Sequence, residues 1–334
     1  MFFLTIILGT LITISSTSWF SIWIGLEINL LSFIPLIKDN KNLFSSEASL
    51  KYFLTQALAS SIFLFSILLF YLFNNFNINN NLNEYFSLLT SSTILIKIGR
   101  APFHFWFPSV TEGLNWNSII LLITWQKIAP LVIFSYCINF YYLIIIVFFA
   151  IIFGRLGGLN QTSLRKLVAF SSINHLGWII ISITNNETLW IIYFLFYCFL
   201  SFNLIFIFNN LKILNINQTF YLKNFNLILK LSIFIVLLSL GGLPPFLGFF
   251  PKWLIIETLT SQKIMLILTF ILFFTLITLF FYLRISYNVL LIGHNEINWN
   301  FKIFFIKAPI KITLLITFFS LFGLILINFF YFFL

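Results

Sequence analysis

The stretch TILIKIGRAPFHFWFP, residues 93–108, places a lysine in the middle of an apolar segment and then interrupts that segment. Lys97 lies near the centre of an apolar run that extends over about 85–108. A charge at the centre of a membrane helix costs roughly 2.5 to 3.5 kcal/mol even on lenient scales, so its presence indicates a function. The sequence Gly99-Arg100-Ala101-Pro102 follows Lys97 and predicts a break in the helix.

The composition around this stretch excludes a soluble domain. Of the 334 residues, 61% are hydrophobic and only 8% are charged, and the mean hydropathy is +1.07. Apolar runs of about 20 residues match a hydrocarbon core of about 30 Å, whereas barrel strands would alternate with period two. The sequence therefore predicts an all-α polytopic membrane protein.

Apolar runs bounded by polar residues, glycine or proline predict eleven transmembrane helices. Their approximate bounds are 2–17, 19–37, 49–74, 85–109, 117–138, 140–154, 165–184, 188–210, 229–260, 264–290 and 311–333. The ninth run is too long for one straight span, and GGLPPFLGFFPK interrupts it, so a second broken helix is predicted.

Basic residues in the loops between these helices predict the orientation of the chain. When the eleven helices are threaded through a membrane, Lys263 alone lies on the side opposite the N-terminus. Fourteen basic residues lie on the N-terminal side: Lys38, Lys41, Lys51, Arg100, Arg155, Arg165, Lys166, Lys212, Lys223, Lys230, Arg284, Lys302, Lys307 and Lys311. The positive-inside rule therefore places the N-terminus on the side that basic loops face, the cytoplasm or the matrix. Leu334 is then on the opposite side.

The two predicted broken helices hold the fourth position in two successive sets of five, which is typical of an internal repeat in transporters. We expect a first five-helix repeat over 1–138, broken at 85–109, and a second over 139–290, broken at 229–260. Because five is odd, the second repeat is inverted. A loop and a C-terminal transmembrane helix over 291–334 complete the chain.

Three basic residues belong to no predicted loop, and a glutamate and a histidine lie near helix centres. Lys97, Lys127 and Lys252 lie inside predicted helices, Glu27 is near the centre of the second helix, and His175 is near the centre of the seventh. Burial disfavours the charged form of a lysine, so a neighbouring charge can decide whether it holds its proton. We interpret the three lysines as a proton relay with Glu27 as modulator.

Less specific interpretations of these residues remain open. The lysines could snorkel to a helix end or form static ion pairs, and Glu27 could be hydrogen-bonded to a neighbouring serine or asparagine. His104 and His175 are either relay members or core histidines satisfied by hydroxyl groups. We expect Glu27 to face Lys97 within about 10 Å, because charges at that range still couple by about 1.7 kcal/mol in a dielectric near 20.

Six motifs resemble one known family. They are WIGLEINLLSFIP, EASLKYFLTQALAS, APFHFWFP, LLITWQKIAP, GGLNQTSLRKLVAFSSINHLGW and GGLPPFLGFFPKWLIIE, and they cover most of the first 260 residues. Together they resemble subunit 2 of mitochondrial NADH:ubiquinone oxidoreductase, respiratory complex I, in its short, insect-like animal form.

The resemblance implies an antiporter-like subunit of the membrane arm that translocates protons. It implies that Glu27, Lys97, Lys127 and Lys252 match the family's membrane-embedded charged residues, with His104 and His175 as possible relay members. It implies no cofactor in this chain, with FMN, iron–sulfur clusters and ubiquinone elsewhere in the complex. Implied partners are subunits 4L and 4, the lateral helix of subunit 5, accessory subunits and phospholipids such as cardiolipin, and no nucleic acid. The implied location is the mitochondrial inner membrane, with the N-terminus in the matrix.

Two other classes of protein are competing interpretations of the sequence. A free-standing cation/proton antiporter subunit would share the broken helices and the lysines. A receptor or structural scaffold would not need several ionisable residues at the membrane midplane.

Two arginines depart from the family pattern. Arg100 and Arg155 stand where the family usually has a small or apolar residue, and the chain contains only two methionines. In invertebrate mitochondria AGA encodes serine and ATA encodes methionine, so a different decoding table would produce both departures. We therefore hypothesise that the natural residues at positions 100 and 155 are serines.

Overall fold

The computed structural model describes residues 1–39, 42–75, 81–137, 139–219, 227–290 and 312–324. Within these ranges the chain forms thirteen helices, followed by a short apolar helix, Ile312–Leu324. The thirteen are α1 Phe2–Ser15, α2 Trp19–Ile37, α3 Leu43–Asn75, α4 Asn81–Ile98, α5 Trp106–Gly113, α6 Trp116–Ile123, α7 Trp125–Tyr136, α8 Phe140–Leu159, α9 Leu164–Asn185, α10 Glu187–Leu211, α11 Leu227–Gly241, α12 Phe249–Ser261 and α13 Met265–Leu290. The predicted all-α class is confirmed.

Seven segments within the described ranges are long and apolar enough to cross a membrane. They are Trp19–Ile37, Leu43–Leu72, Trp116–Tyr136, Tyr142–Leu159, Leu164–Thr184, Glu187–Leu211 and Met265–Leu290. The apolar parts of α1, α4, α11 and the helix Ile312–Leu324 have only 10–17 residues. At 1.5 Å per residue these parts are about 15 to 25 Å long, shorter than a hydrocarbon core, so the number of eleven spans stays a prediction.

The predicted apolar runs coincide with observed helices, but three runs contain two helices each. The breaks in the fourth and ninth runs were predicted; the break in the fifth, between α6 and α7, was not. There the hydroxyl of Thr124 donates to the carbonyl of Ile120 at 2.7 Å, and the N–H of Lys127 donates to the carbonyl of Thr124 at 3.3 Å. Back-bonding of a threonine to the preceding turn bends helices, and hydropathy alone does not register it.

Two predicted helix bounds were wrong. Helix α3 begins at Leu43 rather than 49, so Lys51 lies two turns inside the helix and not at its start. Helix α8 continues to Leu159 rather than ending near 154, because Gly157 packs against a ring and does not break the helix. A Cβ atom at Gly157 would lie 2.3 Å from Cε1 of Phe170. Arg155 is consequently helical as well.

Several residues that carried the orientation argument lie outside the described ranges. They are Lys41, Lys223, Lys302, Lys307, Lys311 and Leu334. The predicted orientation therefore stays a prediction.

Contacts divide the chain into two compact units. The first comprises Met1–Gly154 and Ser172–Thr184, and in it α3 packs against α2, α4 and α5, while α1, α4 and α6 contact α7. The second comprises Arg155–Ser171 and Asn185–Leu334, and in it α10 contacts α11 and α12, which both contact α13. The division follows contacts, and the predicted repeats over 1–138 and 139–290 stay a prediction.

Candidate functional site

The first helix break lies between α4 and α5. Gly99 has a φ of +73°, a left-handed conformation that glycine adopts without strain, and it ends α4. Its N–H donates to the carbonyls of Leu95 and Ile96, and the N–H of Arg100 donates to Leu95 at 3.1 Å. Helix α5 then begins at Trp106.

Two side chains donate hydrogen bonds to carbonyl groups at the end of α4. Nε2 of Gln56, on α3, donates to the carbonyl of Lys97 at 3.2 Å. Nε1 of Trp106, on α5, donates to the carbonyl of Ile96 at 3.0 Å. A buried carbonyl without a partner is destabilising, so these contacts hold the end of α4 in place. Lys97 itself is 9% exposed.

Lys97 and Lys127 line one cavity of about 20 Å³ in the first unit. Its walls come from α2 to α7, and its polar lining residues are Asn29, Tyr52, Gln56, Lys97, Gln126 and Lys127. Lys127 is 2% exposed, and its Nζ lies 5.0 Å from the centroid of the Phe107 ring, in cation–π geometry. The structure therefore brings together two of the lysines that the sequence singled out.

Two further polar residues in this cavity were missed by the sequence argument. Oδ1 of Asn29 and Nε2 of Gln126 are buried and have no hydrogen-bond partner in the described part of the chain. Both residues line the cavity. An isolated amide side chain inside an apolar helix was the signal that could have identified them, since such groups are costly in hydrocarbon.

Glu27 lies on α2 and is partly exposed, whereas its neighbours Leu26 and Asn29 line the cavity. Its charge is within electrostatic range of Lys97. Among the described residues no direct ion pair joins the two side chains. The structure thus brings the predicted modulator near Lys97 without placing it in the cavity wall.

The two histidines are buried outside this cavity wall. His104 lies in the break between α4 and α5, where its ring stacks on Phe105 with centroids 4.5 Å apart and contacts Phe153 at 5.1 Å. His175 lies on α9 and is 3% exposed. The structure assigns neither a relay role nor a purely structural role to them.

The second helix break lies between α11 and α12 and repeats the first. Gly242 has a φ of +79°, and its N–H donates to Leu238 and Ser239, while the N–H of Leu243 donates to Leu238 at 3.4 Å. Here Lys252 provides the cap. Its Nζ donates to the carbonyl of Leu240 at 3.0 Å and to that of Gly241 at 2.6 Å.

Of the two arginines predicted in loops, Arg100 lies in the non-helical break between α4 and α5, whereas Arg155 is helical. Both side chains are fully buried, with 0% exposure. Arg155 lies on α8, where its Nη1 donates to the carbonyl of Ile271 at 2.8 Å. The three guanidinium nitrogens of Arg100 have no hydrogen-bond partner among the described residues. Tertiary packing covers both side chains, which the sequence pattern did not indicate.

Apolar helices broken at glycine, with buried ammonium groups at the breaks and a small polar cavity, define the class of the protein. It is a multi-pass membrane protein of the antiporter-like fold. A solved structure described as respiratory complex I from Thermus thermophilus with bound aureothin is similar, with a TM-score of 0.81 and 23% identity, over 96% of this chain and 77% of that one. A structure of the Mrp complex from Dietzia has a TM-score of 0.77 and 15% identity, over 89% and 61%.

Sequence comparison identifies the family. The profile described as NADH:quinone oxidoreductase/Mrp antiporter, transmembrane, matches residues 16–278. NADH-ubiquinone oxidoreductase chain 2 of Anopheles gambiae is 54% identical over 99% of this chain and 97% of that protein. The protein of the same name from Civettictis civetta is 38% identical over 89% and 88%. The chain belongs to this family, and the resemblance to subunit 2 is confirmed.

Proposed function

We propose that the chain is a proton-translocating, antiporter-like subunit of the membrane arm of respiratory complex I. It would belong to an NADH:ubiquinone oxidoreductase whose redox reactions take place in other subunits. The observation that carries this proposal is the shared cavity of Lys97 and Lys127, two buried cations inside an apolar helix bundle. A lysine that serves only as a static ion pair between helices would be paired with an acid, and the described residues that line this cavity include no acid.

One water molecule in the cavity would connect the two lysines. About 20 Å³ is sufficient for a single water, which needs two to four polar partners. Oδ1 of Asn29 can accept a hydrogen bond from this water, and Nε2 of Gln126 can donate one to it. The water can then pass a proton between Lys97 and Lys127 without either side chain crossing the cavity.

Glu27 would control the proton on Lys97. An ionised carboxylate at 4 Å is worth about 4 kcal/mol in a dielectric near 20, and at 10 Å about 1.7 kcal/mol. Neutralising or displacing Glu27 would therefore weaken the hold of Lys97 on its proton and favour transfer toward Lys127. The electrostatic coupling between Glu27 and Lys97 supports this role.

Lys252 would be the relay lysine of the second unit, with its protonation coupled to the helix end that it caps, and His104 and His175 would be additional proton carriers. The burial of all three supports these roles. The chain itself would hold no cofactor, with FMN, iron–sulfur clusters and ubiquinone in other subunits.

We further propose eleven spans, an inverted five-helix repeat and a matrix-side N-terminus in the mitochondrial inner membrane. The excess of basic residues in loops on the N-terminal side supports the orientation. The shared glycine geometry of the two breaks supports the repeat. The partners would be subunits 4L and 4, the lateral helix of subunit 5, accessory subunits and phospholipids such as cardiolipin.

A free-standing cation/proton antiporter subunit is the second candidate. The fold likeness to the Mrp complex is compatible with either function, but the relatives that match nearly the full length of the chain are named as oxidoreductase subunits. We therefore favour the complex I subunit.

The experiment that tests the proposal compares K97M and E27Q with the unaltered chain in the assembled complex, reconstituted in proteoliposomes. Methionine preserves the volume of the lysine stem and removes its proton-carrying group. We expect both variants to lower the number of protons translocated per NADH oxidised, K97M more than E27Q. Unchanged proton-to-electron ratios in both variants, with normal assembly, would refute the relay.

A further inference from the structure

Gln56 joins α3 to the end of α4 through a side-chain hydrogen bond to the carbonyl of Lys97. Its side chain is 5% exposed, and it is separated from Lys97 by 41 residues in sequence. The bond goes to the backbone carbonyl of Lys97 and not to its ammonium group. Gln56 therefore acts on the position of Lys97 while leaving Nζ available.

A neighbouring aromatic residue fixes the same helix end. Tyr52 lies one turn before Gln56 on α3, and its ring meets that of Trp106 edge to face with centroids 5.9 Å apart. Trp106 in turn donates to the carbonyl of Ile96. Side chains four residues apart lie on one helix face, so one face of α3 supports both capped carbonyls. Tyr52 and Gln56 both line the cavity with Lys97.

The second break shows what happens without such a donor. There the ammonium group of Lys252 itself satisfies the last carbonyls of α11, and it is held by two hydrogen bonds. At the first break neutral donors satisfy the carbonyls, and within the described ranges the structure gives Nζ of Lys97 no hydrogen bond. The ammonium group of Lys97 is thus free to exchange its proton.

We propose that Gln56 is a positioning residue of the relay: by capping the carbonyl of Lys97 it holds the end of α4 so that the ammonium group enters the cavity. This inference rests on the proposed function of Lys97. It assigns to the α3 motif EASLKYFLTQALAS a part in proton transfer that depends on the amide N–H of Gln56.

The charged and titratable groups around Lys97 determine which pH dependence to expect. Glu27 acts from α2, Tyr52 lines the cavity from α3, and Lys127 lines it from α7. Arg100 follows in the break itself, and the residues that α5 contributes to the cavity wall are not titratable. Displacing the end of α4 changes the distances from Lys97 to all these groups, so the pH profile of proton translocation must change.

The test uses the assembled complex with Q56L, Q56E and K97M in this chain, and S60A as the matched control. Ser60 lies one turn beyond Gln56, is also buried, and among the described residues its hydroxyl bonds only to the carbonyl of Ala57 in its own helix. We measure the rate of NADH-driven proton translocation between about pH 6 and pH 8.5, the range in which a relay group near neutrality titrates, together with the KM for quinone.

Q56L removes the donor at every pH. We expect it to lower proton translocation roughly two- to tenfold, the factor that corresponds to one hydrogen bond, and to shift the pH profile. The KM for quinone and the S60A profile should stay unchanged. In Q56E the protonated carboxyl group can donate to the carbonyl of Lys97 and the ionised carboxylate cannot. Q56E should therefore resemble the unaltered chain at acid pH and Q56L at alkaline pH.

The variants separate failure of this inference from failure of the proposed function. Normal translocation by K97M would overturn the relay itself. If K97M impairs proton translocation but Q56L leaves its pH profile unaltered, only the role of Gln56 is overturned. If Q56L does not assemble, Q56E decides, because a translocation defect of equal size at every pH would contradict the inference.

Discussion

The two helix breaks share their backbone geometry and differ in what satisfies their carbonyl groups. In each, a glycine with φ near +75° ends the first half-helix, and the next residue donates its N–H to the carbonyl five residues earlier. At the first break Gln56 and Trp106 cap the carbonyls, and at the second Lys252 does. A cation at a helix C-terminus is favourable, so Lys252 has a structural role that Lys97 does not share.

This difference separates two uses of a buried lysine. Where the ammonium group caps carbonyls, losing its proton also weakens the fold, which couples protonation to local structure. Where a neutral amide and an indole provide the caps, protonation of the lysine can change while the helix end stays in place. The following predictions test that distinction, beginning with the largest effect.

The residue after the glycine is the sharpest contrast between the breaks. Leu243 follows Gly242, whereas the fully buried Arg100 follows Gly99, and its guanidinium has no partner in the described part of the chain. An uncompensated buried charge costs roughly 3 to 5 kcal/mol. This burial favours the hypothesis that the natural residue is serine, as the AGA codon specifies in invertebrate mitochondria. We expect peptide mass spectrometry of the native protein to find serine at position 100.

If the chain is produced in a host that inserts arginine at position 100, a variant can measure the energetic cost of the buried guanidinium. There R100S should raise the free energy of unfolding by roughly 3 to 5 kcal/mol. R284S is the control, because Arg284 is exposed and bonds to the carbonyl of Leu159. Arginine in the native peptide would refute the serine hypothesis, and destabilisation by R100S would contradict the cost assigned to the buried guanidinium.

Replacing Lys252 tests its structural role directly. K252M leaves the carbonyls of Leu240 and Gly241 without donors, and we expect a loss of roughly 2 to 4 kcal/mol in the free energy of unfolding. K97M removes no hydrogen bond to a helix-end carbonyl, so it should lower the free energy of unfolding much less. Thermal denaturation of the assembled complex compares the two. Equal destabilisation by K97M and K252M would contradict the distinction between the breaks.

The smallest expected effect concerns the indole cap at the first break. W106F removes the donor to the carbonyl of Ile96 and keeps most of the ring, so we expect a loss of roughly 1 to 2 kcal/mol. W23F is a matched control, since Nε1 of Trp23 is buried without a hydrogen-bond partner among the described residues. The same denaturation assay should show little change for W23F. If the two variants lose equal stability, ring packing and not the hydrogen bond explains the effect.

The sequence was sufficient to predict the helical class, most helix bounds, both glycine breaks and the buried lysines. These features depend on local properties, because the length and apolarity of a segment decide whether it spans a membrane. A lysine in the centre of such a segment is conspicuous for the same reason. The bend at Thr124 and the continuation of α8 through Gly157 were missed, since a local hydrogen bond and a packing contact decided them.

Only the tertiary structure decided which groups meet. The Gln56 donor and the Lys97 carbonyl are 41 residues apart, and no periodicity in the chain indicates that they pair. The grouping of Asn29, Gln126 and Lys127 around one cavity likewise depends on how the helices pack. Sequence alone showed that Lys97 and Lys252 are buried near breaks. The structure distinguished a free ammonium group from a capping one, because hydrogen bonding depends on distances and directions that only the folded chain determines.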